Sequence, residues 1–493
     1  MQKTKEEPLE PLPEPSTEYR SRLPGRLTAV AWTLWLSSVA VTAYAAVTGA
    51  RPSIPDVAVV DGLTLVGWFA VTTISAVVHS YSRRYMEGDA RVEGFFLRLT
   101  AFTLAAMVFV AADHLALLAT SWLAMGLAVA GLIGHDREST AARTSARFAR
   151  RRYLLGTAAL VTALAVLWHA TGSATAGGVA DAVATAPRPL VVVAAAGLVL
   201  AASIQSALVP FQAWLLSSMT APTPASAVMH AGFVNAGGIL LARFAPVVTL
   251  EPAVMLAITA VGAASALLGK LTKSVQADVK RKLGCSTVGQ MGFMLMQVGL
   301  GFFAAAVTHL VLHGFYKADL FLSSGTRMKR TTPDDGDAGE TPALGAVATI
   351  ATALAGGALF AVLTGKGTRL DAGLVLALLV VLTTFHASRD LVGRRGLPPA
   401  VRHLGVPAVA LPAIAVYALV YRGVAAAMKG LPAVPSPVSL TPLHAALAAA
   451  FVVGYFAVEF DVQRRSDRVY ARLRHISRPA AGTVFDRRGG GDD

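Results

Sequence analysis

Only 15% of the 493 residues are charged and 54% are hydrophobic, with a mean hydropathy of +0.57, whereas water-soluble domains carry roughly 25% charge. This excludes an ordinary soluble enzyme and points to a chain embedded in lipid. The net charge of +14 would suit a nucleic-acid binder, but the basic residues fall in short clusters between long apolar runs, as the positive-inside rule requires of a membrane protein.

Residues 1–26 are rich in Pro and Glu; such a composition cannot build a core and reads as a disordered cytoplasmic tail with no cleavable leader. Apolar runs follow at about 27–48, 56–80, 95–112, 114–134, 153–171, 189–207, 208–248, 252–270, 283–300, 301–325, 344–364, 371–392, 402–426 and 441–460. Each approaches the roughly 20 residues that cross a 30 Å hydrocarbon core as a helix. The runs lack the dyad alternation of barrel strands, so helices must satisfy the backbone in lipid. The expected fold is an all-α polytopic membrane protein of about 14 transmembrane helices. Most Lys and Arg lie in the two ends and the even-numbered loops, which puts both termini in the cytoplasm and the bundle, 27–460, in an inner membrane.

The hydrophobic pattern breaks between 203 and 230, in SIQSALVPFQAWLLSSMTAPTPASAVMH. Pro210 removes a helix hydrogen bond, and Pro222 and Pro224 bracket Thr223, so the seventh span is read as a broken helix. Irregular backbone at membrane depth survives where protein or a water-filled cavity covers it, and transporters place such breaks at their ion sites. His230 follows the break, beside Asn235.

In the next loop Lys280, Arg281 and Lys282 read as cytoplasmic anchors. The single cysteine, Cys285, excludes an internal disulfide, an iron–sulfur site and a Cys-based zinc site, and reads as packing.

The tenth span, HLVLHGFYKADLFLSSG, spaces His309, His313 and Lys317 four residues apart, on one helix face over about 12 Å. A lysine at membrane depth costs at least about 2.5–3.5 kcal/mol, so it should face a polar interior and carry function. A row of imidazoles ending on an amine can hand a proton along stepwise. The competing reading has Lys317 snorkelling to the interface. A zinc reading of His309 and His313 lacks a glutamate and a third ligand. Asp319 faces elsewhere on the helix.

A polar loop at 327–342 follows, and in the twelfth span His386 and Asp390 share a face, a candidate exit route for the ion. Residues 461–493 form a basic cytoplasmic tail, whose stretch DVQRRSDRVYARLRH could lie on an anionic leaflet or act as a plain anchor. No nucleotide loop, nucleophile elbow or metal cluster is present in the sequence, so catalysis by the chain alone is not expected.

DGLTL at 61–65, HSYSRRYM at 79–86, APTPASAVMHAG, QADVKRKLGCSTVGQMGFM at 276–294 and the tenth-span segment together resemble the proton-translocating antiporter-like family. That family includes the largest membrane subunits of respiratory complex I and of Mrp antiporters. The resemblance implies fourteen core helices, with broken helices in inverted halves, and assigns ion relay to Lys317, His313, His309 and His230. It also exposes departures. Family members carry a glutamate after the tryptophan of the fifth helix, paired with a lysine; here Leu123 follows Trp122 and Gln205 takes the lysine position. The first half-channel is therefore silent on this reading.

That pattern is similar to the DabB subunits of DAB-type inorganic-carbon pumps. This implies a cation gradient, H⁺ or Na⁺, coupled to CO2 or bicarbonate uptake, and a DabA-like partner that holds the zinc, this chain needing no cofactor. A complex I-like or Mrp-type antiporter subunit, and a scaffold without transport of its own, are the alternatives.

Overall fold

The computed structural model describes residues 21–324, 343–369, 371–392, 399–431, 438–460 and 462–483. Residues 1–20 of the first tail and the 327–342 loop lie outside them, whereas Leu23–Arg26, expected in the disordered tail, already form the first turn of a helix, with Pro24 in its opening turn.

Helix α1 (Leu23–Thr48) leads to a two-stranded hairpin, β1 (Ser53–Ile54) and β2 (Ala58–Val59), with Ser53 opposite Val59. Helices α2 (Gly62–Tyr85), α3 (Val92–Ala111), α4 (Leu115–Ile133), α5 (Thr140–Thr171), α6 (Ala176–Ala182) and α7 (Arg188–Gln205) follow. The broken span comes next as α8 (Ala213–Ser217), α9 (Thr223–Ala231), α10 (Ala236–Arg243) and α11 (Ala245–Val248). The rest comprises α12 (Pro252–Ser274), α13 (Val279–Gly299), α14 (Phe303–Ser324), α15 (Ala343–Thr364), α16 (Gly373–Val392), α17 (Pro399–Ala427), α18 (Pro442–Glu459), α19 (Val462–Arg465) and α20 (Asp467–Ile476).

Local chemistry sets these ends. Proline sits in the first turn of α1, α7, α9, α12 and α18, where its missing N–H is no loss. Asp61, Ser139 and Asp278 cap α2, α5 and α13 by accepting backbone N–H groups. Helix α5 starts at Thr140, well before the expected 153, because its arginine-rich first turns are helical without being apolar.

Ten helices among the described residues are long and apolar enough to cross a bilayer, against the fourteen expected. Helices α13 and α14 are not among the ten. Their polarity has a specific source: Lys280–Lys282 open α13, and His309, His313, Lys317 and Asp319 interrupt α14. Helices α16 and α18 have shorter apolar stretches.

Two packing features position the interior. Helices α12 and α13 meet backbone to backbone, since a Cβ on Gly269 would lie 2.3 Å from Gly289 N and one on Gly292 2.4 Å from Ala266 N; small residues permit this approach in lipid. Near one end of the bundle, the Asp61 carboxylate that caps α2 accepts from Arg243 of α10, whose Nη2 also donates to Val110 O of α3 at 2.8 Å.

The segment after α20 folds back on the bundle. Gln276 Nε2 donates to Ser477 Oγ at 2.8 Å, Ala480 N to Ser217 Oγ at 2.9 Å, and Ser145 Oγ to Thr483 O at 3.3 Å.

Candidate ion path

The break between α7 and α9 places His230 on a short helix deep in the protein, and α14 passes directly against it. Gly314 makes that approach possible, because a Cβ there would meet Ala231 O at 2.8 Å. His230 is 0% exposed, and its ring stacks on Phe321 of α14 at 4.5 Å.

Lys317 is also 0% exposed. Its Nζ donates to Leu283 O of α13 at 3.0 Å. The Thr287 hydroxyl donates to the same carbonyl at 3.0 Å and lies 3.0 Å from His230 Nδ1. A hydroxyl has one proton, so Thr287 accepts from His230 Nδ1–H, and His230 Nε2 is left as the basic nitrogen. Lys317 and His230 are thus joined through one carbonyl and one hydroxyl, without a carboxylate in the contact. Asp319 is exposed, consistent with its different helix face.

His313, 6% exposed, lies within electrostatic reach of His309, Lys317 and His230. The His309 and His313 rings stack at 5.7 Å with an interplanar angle of 13°, as residues one turn apart should. His230 Nε2, His309 Nε2, His313 Nε2 and Asn235 Oδ1 are buried and have no protein hydrogen-bond partner. Each such atom costs about 1–3 kcal/mol if left dry. A column of them at membrane depth is suited to a chain of water molecules.

Beyond His309 the lining becomes mostly apolar. Phe293 packs edge-on to His309 at 5.2 Å and also lines a cavity of about 270 Å³, with Gln297, Thr383, Thr384 and Tyr417 on its walls. One turn after Tyr417, Tyr421 lies 4.4 Å beneath Lys366 Nζ, and Phe302 lies 4.2 Å from the same atom. Burial pushes the Lys366 amine, in the loop after α15, down to about 8, with Asp371 pulling it upward. Sequence reasoning passed over Lys366, because a lysine just past a helix end reads as an anchor. Thr287 was missed too, since nothing in a sequence distinguishes it from other helical threonines.

His386 and Asp390 are on α16, but their side chains lie outside the described residues.

The first half differs. Gln205 is 1% exposed with Nε2 unpartnered, and Trp122 Nε1 is likewise buried without a partner. Tyr153, Trp214 and Phe233 pack edge to face, with centroids 5.0, 4.8 and 5.8 Å apart, and Trp214 Nε1 donates to Ile204 O, next to Gln205, at 2.8 Å. Leu123 is half-buried. Among the described residues no group of three or more His, Cys, Asp or Glu side chains gathers as a metal site.

The chain belongs to the NADH:quinone oxidoreductase/Mrp antiporter transmembrane family, whose model matches residues 112–388. Residues 54–96 match the N-terminal region of complex I chain 5. It is therefore a multi-pass membrane protein of the antiporter-like class. Among its relatives is the probable inorganic carbon transporter subunit DabB1 of Halothiobacillus neapolitanus, 36% identical over 334 residues, covering 64% of this chain and 60% of that protein. Subunit L of the NADH-quinone oxidoreductase of Mycobacterium tuberculosis is 36% identical over 269 residues, covering 54% of this chain and 42% of that one. The chain thus spans about 60% or less of the length of these relatives. The fold matches the Mrp complex from Dietzia sp. DQ12-45-1b with a TM-score of 0.62 at 22% identity, over 92% of this chain and 55% of that chain.

Proposed function

We propose that the chain is the cation-translocating membrane subunit of an energy-coupled inorganic-carbon pump, running H⁺ or Na⁺ down its gradient while a zinc-containing partner of the DabA type takes up CO2 or bicarbonate. The observation that carries this reading is the asymmetry of the interior. One half retains a buried lysine and three histidines in a polar column, and the other has Leu123 and Gln205 where an antiporter keeps an ion pair. A single polar path suits a subunit that conducts one ion to drive work in a partner. The names of the DabB relatives support the carbon substrate.

In this mechanism Lys317 alternates between a charged state and a neutral state, with Leu283 O receiving the ammonium. His313 and His309 carry the proton along α14 through the water their Nε2 atoms require. His230 faces Lys317 from the broken helix and moderates its charge through Thr287. On this reading both termini are cytoplasmic, as the distribution of basic residues requires.

The test is uptake of labelled inorganic carbon by cells expressing the chain and its zinc partner at fixed levels. Lys317→Ala and Lys317→Arg should both abolish uptake while the complex still co-purifies, because an alanine holds no proton and a guanidinium does not release one at physiological pH. Near-normal uptake by both variants rejects the relay. Co-purification with redox-complex subunits, and no zinc protein, assigns the chain to the antiporter alternative.

A further inference from the structure

A second strongly charged feature lies away from the ion path. Between α3, α4 and the start of α5 is a pocket of about 500 Å³, into which Arg98, Arg137, Arg143, Arg147 and Arg150 all open. Arg143, Arg147 and Arg150 recur at helical spacing along α5, Arg98 comes from α3, and Arg137 from the turn ahead of α5.

Nothing anionic lines the pocket. The neighbouring acids are engaged elsewhere. Asp89 holds His135 at 3.0 Å, and Asp136 Oδ1 accepts from the backbone of Glu138 and Ser139 at 3.0 and 3.1 Å. Glu138 pairs with Arg91 at 3.3 Å, and Glu93 accepts from Ser21. Among the described residues no carboxylate lies within ion-pair distance of the five arginines.

Five guanidiniums around one cavity repel each other, and the charge of Arg137 reaches Arg98. The backbone nevertheless makes room for the crowding. Gly131 of α4 faces Arg98, where a Cβ would lie 2.8 Å from Cδ and 3.0 Å from Nε, so glycine lets that side chain lie across α4. The floor is apolar, formed by Leu127, Ala130 and Ala146. The same three helices carry Leu97, Leu104, Leu127 and Leu154 as exposed apolar side chains, a surface that acyl chains can cover.

We infer that this pocket binds the headgroup of an anionic phospholipid, its phosphodiester oxygens held by Arg98 and the α5 arginines. Guanidinium forks match phosphate oxygens two at a time, and basic pockets between helices on the cytoplasmic side are where acidic lipid headgroups lodge. A volume of about 500 Å³ with five cations exceeds what one phosphate needs, so a headgroup with two phosphodiesters, as in cardiolipin, fits better than one with a single charge. The apolar floor favours a lipid over a soluble oxyanion. This inference does not depend on the transport reading.

The experiment follows the thermal unfolding midpoint of the full-length protein in detergent as cardiolipin, phosphatidylcholine, inorganic phosphate or bicarbonate is added. The pocket variant is Arg98→Gln with Arg147→Gln and Arg150→Gln. A control variant removes the same charge at exposed sites outside the pocket, Arg151→Gln with Arg468→Gln and Arg472→Gln. Cardiolipin should raise the midpoint of the wild type and the control alike, and the pocket variant should need at least about tenfold more lipid for the same shift, because charge-assisted hydrogen bonds are lost. Gly131→Ala, which keeps every charge but displaces Arg98, should weaken the response in the same direction. Native mass spectrometry should find the lipid retained by the wild type and lost from the pocket variant. An equal cardiolipin response in the wild type and the pocket variant would overturn the site. A shift with phosphate or bicarbonate that the pocket variant loses, with the lipid response unchanged, would overturn the lipid as its occupant.

Discussion

The two halves of the bundle answer the same problem, how to fill the space beside a helix break, in opposite ways. Near Gln205, Trp214 donates to the Ile204 carbonyl at 2.8 Å and packs edge-on with Tyr153 and Phe233. Around His230 the space is filled by Lys317, Thr287 and two stacked histidines, with several nitrogens left without a protein partner. Both sides keep buried polar atoms without a protein partner, Gln205 Nε2, Trp122 Nε1 and the Tyr153 hydroxyl on one and the imidazole nitrogens on the other, but only the second side adds a lysine and a hydrogen-bonded link between elements. The contrast teaches that two sites beside the same helix break can be built on ring packing or on a titratable column.

The largest expected effect comes from putting charge back into the packed half. Gln205→Lys alone should destabilise the protein by about 3–5 kcal/mol, the cost of an unpaired buried charge, read as chemical unfolding in detergent. Leu123→Glu alone should also destabilise, and the double variant should lose less than the sum of the two while gaining no transport. Equal damage in all three would mean the two positions do not meet. Recovered transport would break the comparison outright.

Next is the helix contact beside His230. Gly314→Val forces side-chain carbons toward Ala231 O, which a Cβ alone would approach to 2.8 Å. A loss of about 1–3 kcal/mol is expected from overpacking, together with reduced ion flux in proteoliposomes, since α14 is pushed away from His230. Unchanged flux would show that the α9–α14 contact is only structural.

A smaller effect concerns Lys366. Its ordinary value of 10.5 falls to about 8 in the folded protein, so burial of the ammonium disfavours folding while both states hold the proton. That penalty is fully present below about 8 and fades between about 8 and 10.5, where the folded state has released its proton and the unfolded chain has not. The unfolding midpoint of the wild type should therefore rise relative to that of Lys366→Met between pH 7 and pH 10. A parallel response would place Lys366 in water.

The smallest effect sharpens the comparison by its near absence. Tyr153→Phe removes a buried hydroxyl that has no partner, so stability should stay within about 0.5 kcal/mol or rise, with transport unchanged. A large loss of transport would mean that the aromatic cluster takes part in the ion path.

Much of this was legible in the residues. Pro210, Pro222 and Pro224 located the helix break, and the spacing of four put His309, His313 and Lys317 on one face, because both signals are local. Partners supplied by distant elements were not legible. Leu283 O and Thr287 come from a helix some 30 residues earlier, and any backbone carbonyl or threonine could serve. The aromatic cluster joins α5, α8 and the turn after α9, and no periodicity along the chain relates those positions. The expected number of spans ran ahead of the ten that qualify because charges and histidines lower the hydropathy of α13 and α14, and the apolar stretches of α16 and α18 are short. The five arginines were not legible as a group, because Arg98 lies inside the expected span 95–112 and the others in the loop before 153, and only the fold brings Gly131 and Arg98 beside α5.

The fold-back of residues 477–483 has a consequence for biogenesis. Their hydrogen bonds reach Ser145, Ser217 and Gln276, on segments synthesised some 200 to 340 residues earlier. A nascent chain enters the membrane from its N-terminal side, so α5, α8 and α12 are already inserted while this clasp has yet to be made. Until it closes, the ends of these helices that it covers are the part of the bundle most open to proteases. A nick near Ser466 in the mature protein should therefore expose cleavage sites hundreds of residues away, among the arginines at the start of α5.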